Sequence, residues 1–284
     1  MKKYGKFLSA AVALMLALTT VFLAGCGKKD VGTEAETTTL ADAEQTAAVQ
    51  AETTAPATQD ETAGETLTQV AVEATQESTE AAVPQTVEEI VEFFNKSANR
   101  IKPEASKVTK NYEKRIVDED QLVFPKSLES AAKGLMDTSM KDDTEPIVYD
   151  TREEITTEYI VPEKDYVSRL DPEYVEKATF TDKGDTYEIY IKLKNEKNPV
   201  SGEGIGAVCD VIEAHEVAEK ASFIEEFSTE YYNCEVKATV DKATGRVVHS
   251  WYSVPLVLKV RVNMFGTHSA AAGLTFVKDY TITY

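Results

Sequence analysis

From residue 86 onward the chain carries two hydrophobic periods. Val87, Ile90, Val91, Phe94, Ala98 and Ile101 recur at helical spacing. That spacing predicts one apolar stripe, with Glu88, Glu92, Asn95 and Lys96 on the other faces. Thr86 followed by Glu89 forms a capping box at its start, and Pro103 is expected to end it. A period of two then predicts a strand over 106–117, with Val108, Tyr112 and Ile116 on one side and Thr109, Asn111, Glu113 and Arg115 interleaved. Leu128, Ala131, Ala132 and Leu135 predict a short helix over 127–136. Residues 137–172 read as acidic and irregular, broken by Pro146, Pro162 and Pro172, with a strand over 155–161.

The rest is richer in strand signals. Residues 174–181 and 186–194 flank the turn Asp182-Lys183-Gly184-Asp185 and predict a hairpin, with Tyr187, Ile189, Ile191 and Leu193 on one side. Ile205, Val208, Ile212, Val217, Ala221, Ile224 and Phe227 predict one or two short helices within 203–227. A second hairpin joins 231–240 to 246–254 through the Asp241–Gly245 turn. A strand over 254–262, a small-residue loop over 266–273 and a last strand over 274–284 complete the pattern. Hairpin-linked strands with segregated helices indicate an α+β fold. The expected form is a curved, half-barrel-like antiparallel sheet with an N-terminal amphipathic helix and short inserted helices, a single domain over 86–284.

The first 85 residues read differently. Lys2, Lys3 and Lys6 precede an uncharged apolar run from Phe7 to Leu23, which matches a secretory leader and is short for a membrane span of ~20 residues. The run ends in Leu23-Ala24-Gly25-Cys26, and here the chain resembles bacterial lipoproteins. The resemblance implies that 1–25 is a lipoprotein signal peptide. Cys26 would then carry a diacylglyceryl thioether as the mature N-terminus, and the protein would be extracytoplasmic, anchored to the cell membrane by lipid. Two acyl chains suffice for stable anchoring, and Lys28 and Lys29 would add ~1 kcal/mol each at an anionic surface. Residues 30–86 hold 14 Thr, 13 Ala and 12 acids, with no aromatic residue, Lys or Arg. Such a composition cannot bury a core, so 26–85 is expected to be a disordered acidic tether with a reach of ~40 Å.

The formal net charge of −19 excludes a nucleic-acid partner, which needs a basic footprint. Candidate chemistry is sparse. His215-Glu216-Val217-Ala218-Glu219 misses the second histidine of the H-E-x-x-H zinc pattern, so no metal is expected. Cys209 and Cys234 leave two readings open, a disulfide across an exported domain or two buried thiols. Gly202-Glu203-Gly204-Ile205-Gly206 lacks the strand and helix context of a dinucleotide loop, and no serine elbow or P-loop occurs. Neither cofactor nor catalytic residue is implied.

The run from Val236 to Val262, with its Asp241-Lys242-Ala243-Thr244-Gly245 turn, resembles the late hairpins of LolA- and LppX-type lipoprotein carriers. That likeness implies a half-barrel cupping acyl chains. The leading expectation is therefore a non-enzymatic surface lipoprotein binding a lipid or other apolar ligand. The alternatives are an interaction module for cell-wall glycan or a surface protein, in which the many Tyr residues would serve as contacts, and an envelope hydrolase using paired carboxylates.

Overall fold

The amphipathic stripe forms helix α1, Val87–Ala98, closed at its start by the reciprocal Thr86–Glu89 capping box. Ile90, Val91, Phe94 and Ala98 are buried beneath it. The computed structural model describes residues 83–284 apart from 127–128, 131–132, 135, 137–139, 220–222 and 264–265. The leader with Cys26, the tether and part of the helix expected over 127–136 lie outside the described residues. Pro103 does not end α1. The break comes at Asn99, whose Oδ1 accepts from the amides of Val167 and Ser168 while its Nδ2 donates to the Ser168 carbonyl. A second short helix, α2 (Ile101–Glu104), contains Pro103 in its first turn, where proline costs no hydrogen bond.

Strands follow: β1 Lys107–Val123, β2 Ile147–Tyr149, β3 Val175–Asp182, β4 Thr186–Leu193, β5 Glu196–Lys197, β6 Ile224–Tyr231, β7 Glu235–Asp241, β8 Arg246–Asn263 and β9 Thr267–Thr283. Every pairing is antiparallel. The order β2-β1-β9-β8-β7-β4-β3 leaves the sheet open, so the α+β class with an antiparallel sheet holds and no barrel closes. β8 is the spine. β9 runs along one edge of it, while β7 and β6 take successive halves of the other. Between those halves Asn233 adopts a left-handed φ of 51° and Tyr232 donates to the Pro255 carbonyl.

Four expectations need correction. Residues 152–158 are helix α3, not strand, because Thr151 and Glu154 form a second capping box. Ile224–Phe227 belongs to β6, so the helical signal of 203–227 reduces to a 3-10 turn at Gly204–Ala207 and helix α4, Ala214–Glu219. The small residues 267–273 are not loop but the start of β9. They are small because β1 crowds them: a Cβ on Gly273 would fall 2.8 Å from Gln121 Cβ and 3.0 Å from Asp118 Cβ. Finally, β1 bulges at Asn111, between the pairs Lys110↔Tyr280 and Tyr112↔Asp279. One extra residue turns every later side chain over. Val108 therefore points inward, while Ile116 is 51% exposed on the other side.

The inner face carries Ile189, Ile191, Val236, Ala238, Tyr252, Val254, Leu256, Phe276 and Tyr280, all buried. Helices and irregular segments cover it. Tyr159, from the turn after α3, reaches its middle, stacking edge-on against Tyr280 at 4.9 Å and hydrogen-bonding Ser250 Oγ at 2.9 Å. Phe93 of α1 meets Phe180 and Tyr187 edge-on at 5.2 and 5.8 Å.

One lysine serves as an internal clasp. Lys102 is 2% exposed, and its ammonium donates to the carbonyls of Thr156, Val161 and Lys164 at 3.2, 2.9 and 2.9 Å. Burial pulls its pKa down to about 8, against the pull of Asp165, so the charge persists at neutral pH. Val161 and Glu163 hold φ values of 56° and 61° in the loop around it, a costly geometry for non-glycine residues, above all for β-branched Val161. Lys102→Met keeps the apolar stem but removes the ammonium from three carbonyls, of which Thr156 and Val161 retain the Glu163 and Lys164 amides as donors. It is expected to lower stability by about 2–3 kcal/mol in urea unfolding, and an unchanged midpoint would refute the clasp.

Candidate functional site

The two cysteines marked by the sequence lie near each other, and neither joins the cluster around His215. Cys209 follows the Gly204–Ala207 turn and Cys234 lies in the break between β6 and β7; both are buried and unbonded. Burial pushes the Cys209 thiol to about 12 and Cys234 well above its ordinary value, so neither supplies a thiolate nucleophile. The glycines before them serve packing, since a Cβ on Gly206 would collide with the Val200 carbonyl. On α4, His215 lies beside Glu213 at 3.5 Å. Glu213, His215 and Glu216 offer ligand atoms within 4.8 Å of one another, and Glu219 takes no part. This cluster sits at the surface, with His215 exposed and Glu213 engaged by the Ser201 amide.

Two polar constellations stand out that sequence reading did not assemble. The first is a closed ring of ion pairs on the inner face near the β1 bulge. Lys110 Nζ lies 2.8 Å from Glu113 Oε2 and 3.1 Å from Asp143 Oδ2. Arg115 closes the ring, 3.1 Å from Glu113 Oε1 and 3.0 Å from Asp143 Oδ2. The Glu113 and Asp143 backbones also exchange both hydrogen bonds. Burial works against the Glu113 carboxylate, but Lys278, Lys110 and Arg115 overrule it and hold its pKa at about 2. Burial likewise opposes the Lys110 ammonium, and Glu113 more than restores it. Asp210 faces Lys278 nearby; there burial wins and raises the carboxyl.

The second constellation stands on the open face. Strand register aligns Thr179, Tyr190, Lys237, Trp251 and Asp279 in one row across β3, β4, β7, β8 and β9. The next row is Thr181, Glu188, Thr239, His249 and Thr281. Apart from Asp279 and Thr281 on β9, the residues of both rows border an open groove of about 500 Å³. Lys237 Nζ sits 4.2 Å from the Trp251 ring centroid and 5.9 Å from that of Tyr190, a spacing at which a cation holds aromatic rings in place. His249 Nε2 lies 3.0 Å from Asp279 Oδ2, and Asn111 at the bulge donates to Asp279 Oδ1 at 2.7 Å. The Tyr190 hydroxyl donates to Glu235 at 3.0 Å. This His–Asp pair resembles two-thirds of a hydrolytic triad, but among the described residues no Ser, Thr or Cys side chain bonds its other nitrogen.

No family model, curated protein or solved structure matches this chain. Among the described residues no helix is long and apolar enough to cross a membrane.

Proposed function

We propose that this chain is a lipid-anchored surface lipoprotein whose domain binds a ligand without catalysing a reaction, and that the ligand meets the open face of the sheet. The observation that carries this reading is the filling of the inner face. An acyl chain cupped there would need the volume that Tyr159, Tyr252 and Tyr280 occupy, each at most 1% exposed. It would also lie against a ring of paired charges. Trp251 and Tyr190, both partly exposed, stand on the opposite face. A hydrolase reading draws less support. It would have to pair Asp210, whose carboxyl burial raises, with Glu113, which three cations hold at about 2, and neither residue lines the open-face groove.

Two measurements test the proposal. Cys26→Ser is expected to abolish incorporation of labelled palmitate and move the protein from the membrane to the soluble fraction; retention in the membrane would defeat the anchor. Native mass spectrometry of the detergent-extracted full chain is expected to show its polypeptide and its own anchor alone. A second, noncovalently held lipid in stoichiometric amount would restore the acyl-carrier reading.

A further inference from the structure

The groove around Trp251 supports a more specific statement, which rests on the open-face reading above. We infer that it is a subsite for an uncharged, hydroxyl-rich glycan chain. Three features converge on that class.

The first is the aromatic platform. The indole of Trp251 and the phenol of Tyr190 are half-buried at their bases, with Lys237 held between them. Half-exposed rings of this kind offer apolar faces beside polar groups. A pyranose has the matching character, apolar C–H faces and a polar rim.

The second is free hydrogen-bonding capacity. The hydroxyls of Thr179, Thr181 and Thr239 line the groove, and among the described residues no hydrogen bond engages them. Each can donate and accept, as a sugar hydroxyl does.

The third is charge. Every acid around the groove is already partnered: Glu188 by Lys183 at 3.3 Å, Asp279 by His249 and Asn111, Glu235 by the Tyr190 hydroxyl. Lys237 is engaged by the two rings. The named groups are three carboxylates against two lysines, a slightly acidic patch on a chain of net charge −19. Long-range repulsion discourages an acidic polymer, and no unpaired carboxylate is offered to a basic one. What remains is recognition by stacking and neutral hydrogen bonds. The groove is also open at the sheet surface rather than enclosed, so a chain can run through it across neighbouring strands, ~4.8 Å apart.

The chain contains a single tryptophan, so its emission reports this groove alone. The detergent-solubilised full chain would be titrated with soluble oligomers of glucose and of N-acetylglucosamine, and separately with polygalacturonate. The expected result is a saturable change in tryptophan emission with at least one neutral oligomer, undiminished by added salt. Calorimetry should then show Thr179→Val/Thr239→Val binding that oligomer about tenfold more weakly, or worse, and Trp251→Ala losing detectable binding. Both variants should keep the parent's melting temperature; the threonine pair, which adds no cavity, guards against a Trp251 variant that misfolds. Silence with both neutral oligomers, or a response confined to polygalacturonate and erased by salt, would overturn the inference. Neither result touches the open-face reading, which fails instead on stoichiometric lipid in the mass spectrum.

Discussion

Glu113→Ala is expected to destabilise the domain by about 3–5 kcal/mol, the usual cost of leaving a buried charge without its partner. The Lys110 side chain is only 5% exposed, and Glu113 provides its shortest contact, 2.8 Å. Removing that carboxylate also frees Arg115 from one of its two acids and takes a negative charge away from Lys278. Glu113→Gln separates charge from shape. Its effect should be smaller and should depend on pH in a defined way. In the folded protein Glu113 titrates near 2, against an ordinary 4.5. A depressed folded pKa contributes stability that is complete above about 4.5 and is lost as pH falls toward 2. Wild type and Glu113→Gln should therefore differ most at neutral pH and converge in acid. Urea unfolding measured at neutral pH, at pH 4 and at pH 2.5 would show this, and a constant gap across that range would remove the ion ring from the account of stability.

Phe94→Ala is the second large effect, expected at about 3–5 kcal/mol for a buried phenylalanine. Phe94 is 1% exposed at the centre of the α1 stripe, between Ile90, Val91 and Ala98. α1 packs on β3 and β8, and its Asn95 and Asn99 side chains tie it to the Ser168–Leu170 backbone. A cavity under the helix would thus loosen the contact between two parts of the chain distant in sequence. Denaturant unfolding would report it. A cost below about 1 kcal/mol would mean that α1 is a peripheral appendage, since exposed positions rarely exceed that range.

Local signals sufficed where the interacting residues are close in sequence. α1 was legible because its cap and its stripe are both local, and the β3–β4 hairpin because a short turn joins two alternating runs. α3 was missed although its Thr151-x-x-Glu154 cap was present; the Ile155–Val161 run of β-branched and aromatic residues outweighed it. The start of β9 was missed because alanine and glycine carry weak strand propensity. Only the proximity of β1 explains why small residues belong there.

The candidate site was legible as parts and not as a whole. Tyr190, Lys237 and Trp251 each lie at the outward phase of an alternating run, but their adjacency is a property of strand order. The ion ring was hidden further. Lys110 shares the inward phase of Val108, and a bulge at Asn111 that no local pattern announces turns Glu113 to the same side.

By itself the sequence determined an expected division of the chain. The Leu23-Ala24-Gly25-Cys26 pattern, the acidic Thr- and Ala-rich stretch over 30–86 and the onset of apolar periodicity at residue 86 are properties of composition and spacing along the chain, so no folding is needed to read them. The tertiary structure alone decided what the sheet's two faces hold. Register places inward charges against one another and fills the helix-covered face, while strand order lines up aromatic rings and hydroxyls on the other. Those are long-range juxtapositions, and hydrophobic periodicity, which records only which way each side chain turns, carries no information about its neighbour across the sheet.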